Sequence, residues 1–203
     1  MLIFKVKFSA ILILFFCMVS LTSVSSYIEP STKIAFENTI RLSKSKLHLT
    51  GVDRRKEWGK EVYAIAHYSE TSVGKELSAE KKLDQFINAN SPKAIVLKGV
   101  NTKIPARGIR WAWNKGLKDV GYTNNQTRKD FVNAFNKSFA KGDEIIFDST
   151  TQISLKVYLN SKLLGEWDDP LLQKAIWEIC LNENSDLVDR KNLVSLEFNV
   201  NPQ

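Results

Sequence analysis

This chain is poor in the residues that hold soft metals and drive nucleophilic catalysis. Of its 203 residues only two are cysteine and two are histidine, namely Cys17, Cys180, His48 and His67. That is too few for the usual nitrogen and sulfur ligand sets of zinc or iron, so no metal is expected. A serine triad would have to use one of the two histidines, and no G-x-S-x-G elbow exists to receive it. No glycine-rich phosphate loop follows any strand-like run, so no nucleotide or other cofactor is expected. Repeats and low-complexity linkers are also missing. The formal charge is +7, with 43% hydrophobic and 25% charged residues. That balance describes one globular domain with enough chain for a real core, and excludes disorder.

The first 26 residues differ from the rest. Lys5 and Lys7 are followed by the apolar run Ala10 to Val19 and then by small polar residues, Leu21 to Ser26. Basic start, short apolar core and small-residue exit describe a secretory signal peptide, with Tyr27 as the new N-terminus. The protein is therefore expected to be exported, periplasmic or secreted. An uncleaved N-terminal membrane anchor is the alternative, although the apolar core is short for a span. Phe15 and Phe16 are too bulky for a lipid-attachment site at Cys17. Cleavage removes two lysines and no acids and leaves about +5. Such a charge does not call for nucleic acid, and none is expected as a partner. Cys180, alone in the mature chain, has no internal disulfide partner and reads as a small buried hydrophobe.

Periodicity organises the remainder. Ile34 to Ile40 and Lys46 to Thr50 alternate and read as a strand pair joined near Ser43. Val62 to Tyr68 is a third strand. It places Val62, Ala64, Ala66 and Tyr68 on one face, with Tyr63, Ile65 and His67 on the other. Arg54 and Arg55 precede that strand, either at its entry, where an arginine can hold an anionic oxygen against the sheet face, or as solvated loop residues. Ala79 to Ala89 is helical with Ser78 as N-cap, and Ala94 to Val100 is a strand. Pro105 opens a helix to Val120, and Thr127 to Phe139 is another. Glu144 to Asp148, Ile153 to Leu159 and Lys162 to Trp167 are strands, the last two joined at Asn160-Ser161. Asp168 and Asp169 read as a helix-start signal for Pro170 to Leu181. Asp186 to Val194 reads as a final helix. Hairpin-linked strands and separate helices predict an α+β domain: an antiparallel sheet with helices on one face. The basic and aromatic stretch Arg107 to Lys118 reads as an amphipathic helix, Trp113 inward and Lys115 and Lys118 on the wet side.

One set of motifs resembles a known family. GVDRRKEWGKEVYAIAHY is similar to the signature of bacterial chalcone isomerase-like proteins, in which a Gly-x-x-Arg loop enters a Lys-Val-Tyr-Ala strand. IAFENTI stands where the family has its first strand. ARGIRWAWNKGL matches its Arg-x-x-Phe-x-x-Gly-Phe helix through Arg110, Trp113, Gly116 and Leu117. FVNAFNKSFAKGDEIIFD and VYLNSKLLGEW match its later helix, Lys-Gly-Asp turn and hairpin. The likeness spans residues 33–193, within an expected domain of 33–195. It implies an open-faced antiparallel sheet, a helical layer, and a cleft between them.

In plant members an arginine in that cleft stabilises the phenolate during flavanone closure, and Arg55 is the matching position, with Arg54 one residue away. The plant strand threonine aligns with Tyr63. The polar residues of the plant helices fall near Pro105, Ala106, Ala112 and Ile179, which carry no such side chain. Other relatives of the fold bind fatty acids, gripping the carboxylate with arginine and tyrosine. The resemblance therefore implies a small amphipathic acidic ligand, held by Arg55 and Tyr63 with Arg110 nearby. Isomerase action on a chalcone-like enone, with Arg55 catalytic, is one alternative. A basic module that docks on a membrane or a partner is another, and membrane proximity follows from it.

Overall fold

The computed structural model describes residues 25–100, 103–151, 153–183 and 185–197. Most of the expected signal peptide lies outside the described residues. The centre of the fold is a seven-stranded antiparallel sheet in which every strand pairs with its neighbour in sequence. The strands are β3 (Thr39–Leu42), β4 (Ser45–Glu57), β5 (Lys60–Ser69), β6 (Lys93–Gly99), β7 (Glu144–Ser149), β8 (Leu155–Leu159) and β9 (Lys162–Trp167). A separate pair, β1 (Ser26–Ile28) and β2 (Ala35–Glu37), forms a two-stranded sheet. The helices are α1 (Ala79–Asn88), α2 (Ala106–Asp119), α3 (Asn125–Ala134) and α4 (Pro170–Leu181), with a 3-10 turn at Arg190–Val194. This is the expected α+β architecture.

The strand faces are as the alternation of β5 predicts. Ile65 lies in the larger core with the helices, and Tyr63 packs against that core. Ala64, Ala66 and Tyr68 lie in a smaller cluster on the opposite face, with Phe36 and Leu47. That second face is therefore not bare. Phe36 of β2 is fully buried in it and Tyr27 of β1 packs on its margin. The larger core is aromatic where α2 and α3 meet the sheet. Trp113 contacts Phe131, Phe135 and Phe147 at ring separations of 5.0–6.1 Å, edge-on or offset, as the ring quadrupoles favour.

Local signals account for the boundaries. Ser78 caps α1, accepting from Lys81 N, and Asp169 caps α4, accepting from Leu171 N and Leu172 N. Asn160-Ser161 turns β8 into β9 with both residues at positive φ, and Trp58-Gly59 does the same between β4 and β5. Two successive positive-φ residues form the hairpin turn whose twist suits the strands it joins.

Four expected elements are corrected. IAFENTI is two strands, because the chain changes sheets at Asn38, whose N–H bonds to Ser25 O. The helix expected to run to Phe139 ends at Ala134, and Phe139 instead bridges to Ile104. Gly51 to Glu57 is strand, not loop, so Arg54 and Arg55 sit within β4. The expected helix Asp186 to Val194 is a 3-10 turn only over Arg190–Val194, and Leu187 before it forms a bridge to Arg55.

Candidate functional site

Strand β4 is long enough to need two partners along one edge. β3 pairs only with Ser45–His48. The rest of that edge is covered by the C-terminal segment: Val188 N bonds to Arg54 O and Leu196 N to Thr50 O. Asp189 N donates to Asp53 Oδ2 at 2.8 Å. Gly51 permits this approach, since a Cβ there would lie 1.9 Å from Asn192 O. An uncovered edge invites pairing with another chain, so this strap also protects the sheet.

A bulge separates the partners of Arg55 and Lys56, and Arg55 lies directly opposite Tyr63. Tyr63 packs on the helical core, so Arg55 shares that face. Arg54 is opposite Ala64, which belongs to the outer cluster. The two arginines thus point to opposite sides of the sheet.

Arg54 is held by two carboxylates. Its Nη1 is 3.1 Å from Glu29 Oε1 and its Nε 3.2 Å from Glu61 Oε1. Burial alone would raise the Glu29 pKa. Hydrogen bonds from Thr32 and Ser31 and the charge of Arg54 outweigh it, and Glu29 stays below its ordinary value.

Arg55 is held by Asp186 and by a side-chain hydrogen bond with Tyr63, and one of its donors is left over. Nη2 lies 3.2 Å from Asp186 Oδ2, while its buried Nε has no hydrogen-bond partner. The Arg55 side chain is 23% exposed and that of Asp186 70%. Tyr63 is half-buried beneath it. Its phenol is pushed well above the ordinary range, first by burial and then by the neighbouring Cys180, against an opposing pull from Arg55. Burial likewise pushes the Cys180 thiol up to about 12, which keeps it protonated and inert. Leu187, bridged to Arg55, is an apolar neighbour of the guanidinium. Leu187 and Ile179 pack against the same core, and a Cβ on Gly116 would stand 3.2 Å from Ile179. That close approach sets α2 against α4. The arrangement offers a cationic fork and a neutral phenol beside an apolar residue. It can hold an anionic oxygen and a hydrocarbon chain together.

Arg110, the third expected ligand residue, sits half-buried on α2. Its Nη1 donates to Phe135 O at 3.1 Å and so fastens α2 to the end of α3. Among the described residues no group of histidine, cysteine and carboxylate side chains has the arrangement of a metal site. An open groove of about 470 Å³ lies between the Gly142 turn and the Asn160-Ser161 hairpin, lined by neither Arg55 nor Tyr63. Its lysine, Lys98, is already held by Glu144 and by Ala35 O.

Asp186 is the site residue that sequence reasoning missed. It sits 131 positions from Arg55 in a stretch that reads as helical, and no local motif marks it.

His67 proves to be structural. It is fully buried, its Nε2 accepts from Trp177 Nε1 at 3.1 Å, and its Nδ1 lies 2.7 Å from Thr50 Oγ1. Since Trp177 can only donate, Nε2 carries no proton, which makes the ring the neutral Nδ1–H tautomer. Burial, with a smaller push from Lys93, lowers its pKa to about 3.

Comparison with solved structures gives a fatty-acid binding protein from Arabidopsis thaliana (AtFAP1). The match has a TM-score of 0.69 at 21% identity, over 84% of this chain and 96% of that one. At that identity the likeness speaks for the fold. No curated protein sequence matches. A family model described as chalcone isomerase-like matches residues 30–190. That span runs from the turn before β2 to the strap that seals β4, so it holds the whole sheet and all four helices. With sheet order, helical layer and family model in agreement, this chain belongs to the chalcone isomerase-like family.

Proposed function

We propose that this protein binds the acid group of a long apolar molecule, a fatty acid or similar amphipathic acid, at Arg55 and Tyr63. The carrying observation is the buried, unpartnered Nε of Arg55, a guanidinium that meets Asp186 and the half-buried Tyr63 on the helix-facing side of the sheet. A carboxylate fits such a fork in two parallel hydrogen bonds, and Leu187 beside it suits a hydrocarbon chain. The fatty-acid binding relative of the same fold supports this reading. Arg110 serves the site by holding α2 to α3 rather than by touching ligand.

The test is a titration with oleate, together with a chalcone cyclisation assay. Saturable oleate binding, with cyclisation no faster than the uncatalysed rate, supports the proposal. The apolar residues Ala112 and Ile179, matched to polar plant positions, leave ring closure without donors that each contribute on the order of 10²–10³ in rate. Robust turnover abolished by Arg55→Ala overturns it in favour of an isomerase.

We also propose that the protein is exported. The support is the basic, apolar and small-residue order of residues 1–26. A cut after Ser26 removes the Ser26–Glu37 pairing and the Ser25 carbonyl that Asn38 N–H meets, and leaves Tyr27 and Ile28 to pair with Phe36 and Ala35. Among the described residues no helix is long and apolar enough to cross a membrane. N-terminal sequencing should find Tyr27 first. Met1 on soluble cytoplasmic protein overturns this proposal.

A further inference from the structure

We infer that Asp186 is a displaceable counter-ion: it holds the Arg55 fork in the free protein, yields to the ligand's acid group, and thereby sets the affinity for acids. The inference rests on the proposed binding of an acid at Arg55.

Nε and Nη2 point along the same edge of a guanidinium, the edge that receives a carboxylate in two parallel bonds. Asp186 approaches only Nη2, at 3.2 Å, and leaves the buried Nε without a partner. A buried donor without an acceptor is costly, so this edge is built for more than Asp186 supplies. A ligand carboxylate that bridges both nitrogens makes the bond Asp186 leaves unmade.

The backbone around Asp186 is pinned, while its side chain is free to leave. Leu187 bridges Arg55, Val188 N bonds to Arg54 O, and Asp189 N bonds to Asp53 Oδ2. Asp186 itself is 70% exposed. Rotation about its side-chain bonds moves the carboxylate into water, with no displacement of the strap. The exchange replaces one carboxylate by another at the same cation, so Arg55 is paired both before and after it. Lys115 on α2 also feels Asp186, although its main partner is Asp119 at i+4. A released Asp186 thus faces a second cation.

The experiment measures oleate and oleyl alcohol binding by the full chain as wild type, Asp186→Asn, Arg55→Ala and the double variant, with thermal melting to confirm folding. Asp186→Asn removes the competing charge with little change of shape. It should tighten oleate binding about two- to fivefold and leave oleyl alcohol unchanged. The gain should vanish in the Arg55→Ala background. If wild type binds oleate and Asp186→Asn binds it equally or more weakly, the inference falls while acid binding at Arg55 stands. A gain that persists without Arg55 also overturns it, since the effect is then general electrostatics. Failure of every variant to bind oleate overturns the binding proposal and this inference together.

Discussion

Two polar sites lie on the helix-facing side of the same β4–β5 ladder, and they are finished to different degrees. At one end, Thr50, His67 and Trp177 form a closed set. Trp177 donates to His67 Nε2, His67 Nδ1 meets Thr50 Oγ1, and Thr50 Oγ1 lies 2.7 Å from Leu193 O. Toward the other end, Arg55 keeps an unpartnered Nε and an exposed counter-ion. Both sites are made possible by a bulge, one at Thr50 and one at Val62, which re-aim the neighbouring side chains. A closed network in a dry core rigidifies; an open one keeps a donor that a further acceptor can meet.

The sharpest way to break this contrast is to open the closed site. Trp177 is fully buried, so Trp177→Ala removes a large core side chain and strips His67 Nε2 of its donor. It should cost about 3–5 kcal/mol, read by chemical denaturation. A loss below about 1 kcal/mol would show that the network is slack.

The mirror experiment is Arg55→Ala. It should weaken oleate binding about ten- to hundredfold, the worth of a charge-assisted contact. Stability should move by less than about 1 kcal/mol, because the Asp186 carboxylate it leaves behind is 70% exposed and returns to water. Arg55→Lys should recover only part of the affinity, since lysine has no planar fork.

Acid separates the two sites further. The His67 pKa falls from an ordinary 6.5 to about 3 in the folded protein, so the unfolded chain takes up the proton first. The stability from a neutral His67 is complete above pH 6.5 and is lost as pH falls from there toward 3. At pH 5 this group alone accounts for about 2 kcal/mol. The pH dependence of the stability difference between wild type and His67→Asn isolates it. A difference flat from pH 7.5 to 5 would mean that His67 is not held neutral.

The smallest expected effect concerns Arg54. Arg54→Ala should leave oleate affinity within about twofold, because its carboxylate partners Glu29 and Glu61 lie on the far face of the sheet. A tenfold loss of binding in Arg54→Ala, with Arg55→Ala silent, would exchange the roles of the two faces.

Much of this was legible where side-chain period and turn chemistry agree. The alternation of Val62 to Tyr68 placed Tyr63 and His67 correctly on one face, and Asn160-Ser161 announced its hairpin. Segments stabilised by distant partners were not legible. Asp-Arg-Arg-Lys-Glu has no strand-like alternation, and it is extended because β5 on one edge and the strap on the other absorb its backbone groups. Residues 186–189 have helix-like spacing, but Asp53, Arg54 and Arg55 offer them better bonds than their own carbonyls do. The Asp186–Arg55 pair follows from that docking, so no local pattern could reveal it.

The strap also places the site in time. Thr50 waits for Leu193, 143 residues later, and Asp53 for Asp189, 136 residues later. Contacts of such separation close loops at high entropic cost and form late. Until residues 186–196 dock, the outer edge of β4 beyond His48 is open and Arg55 lacks its Asp186 partner, so the strap is the piece whose arrival ends the exposure of that edge.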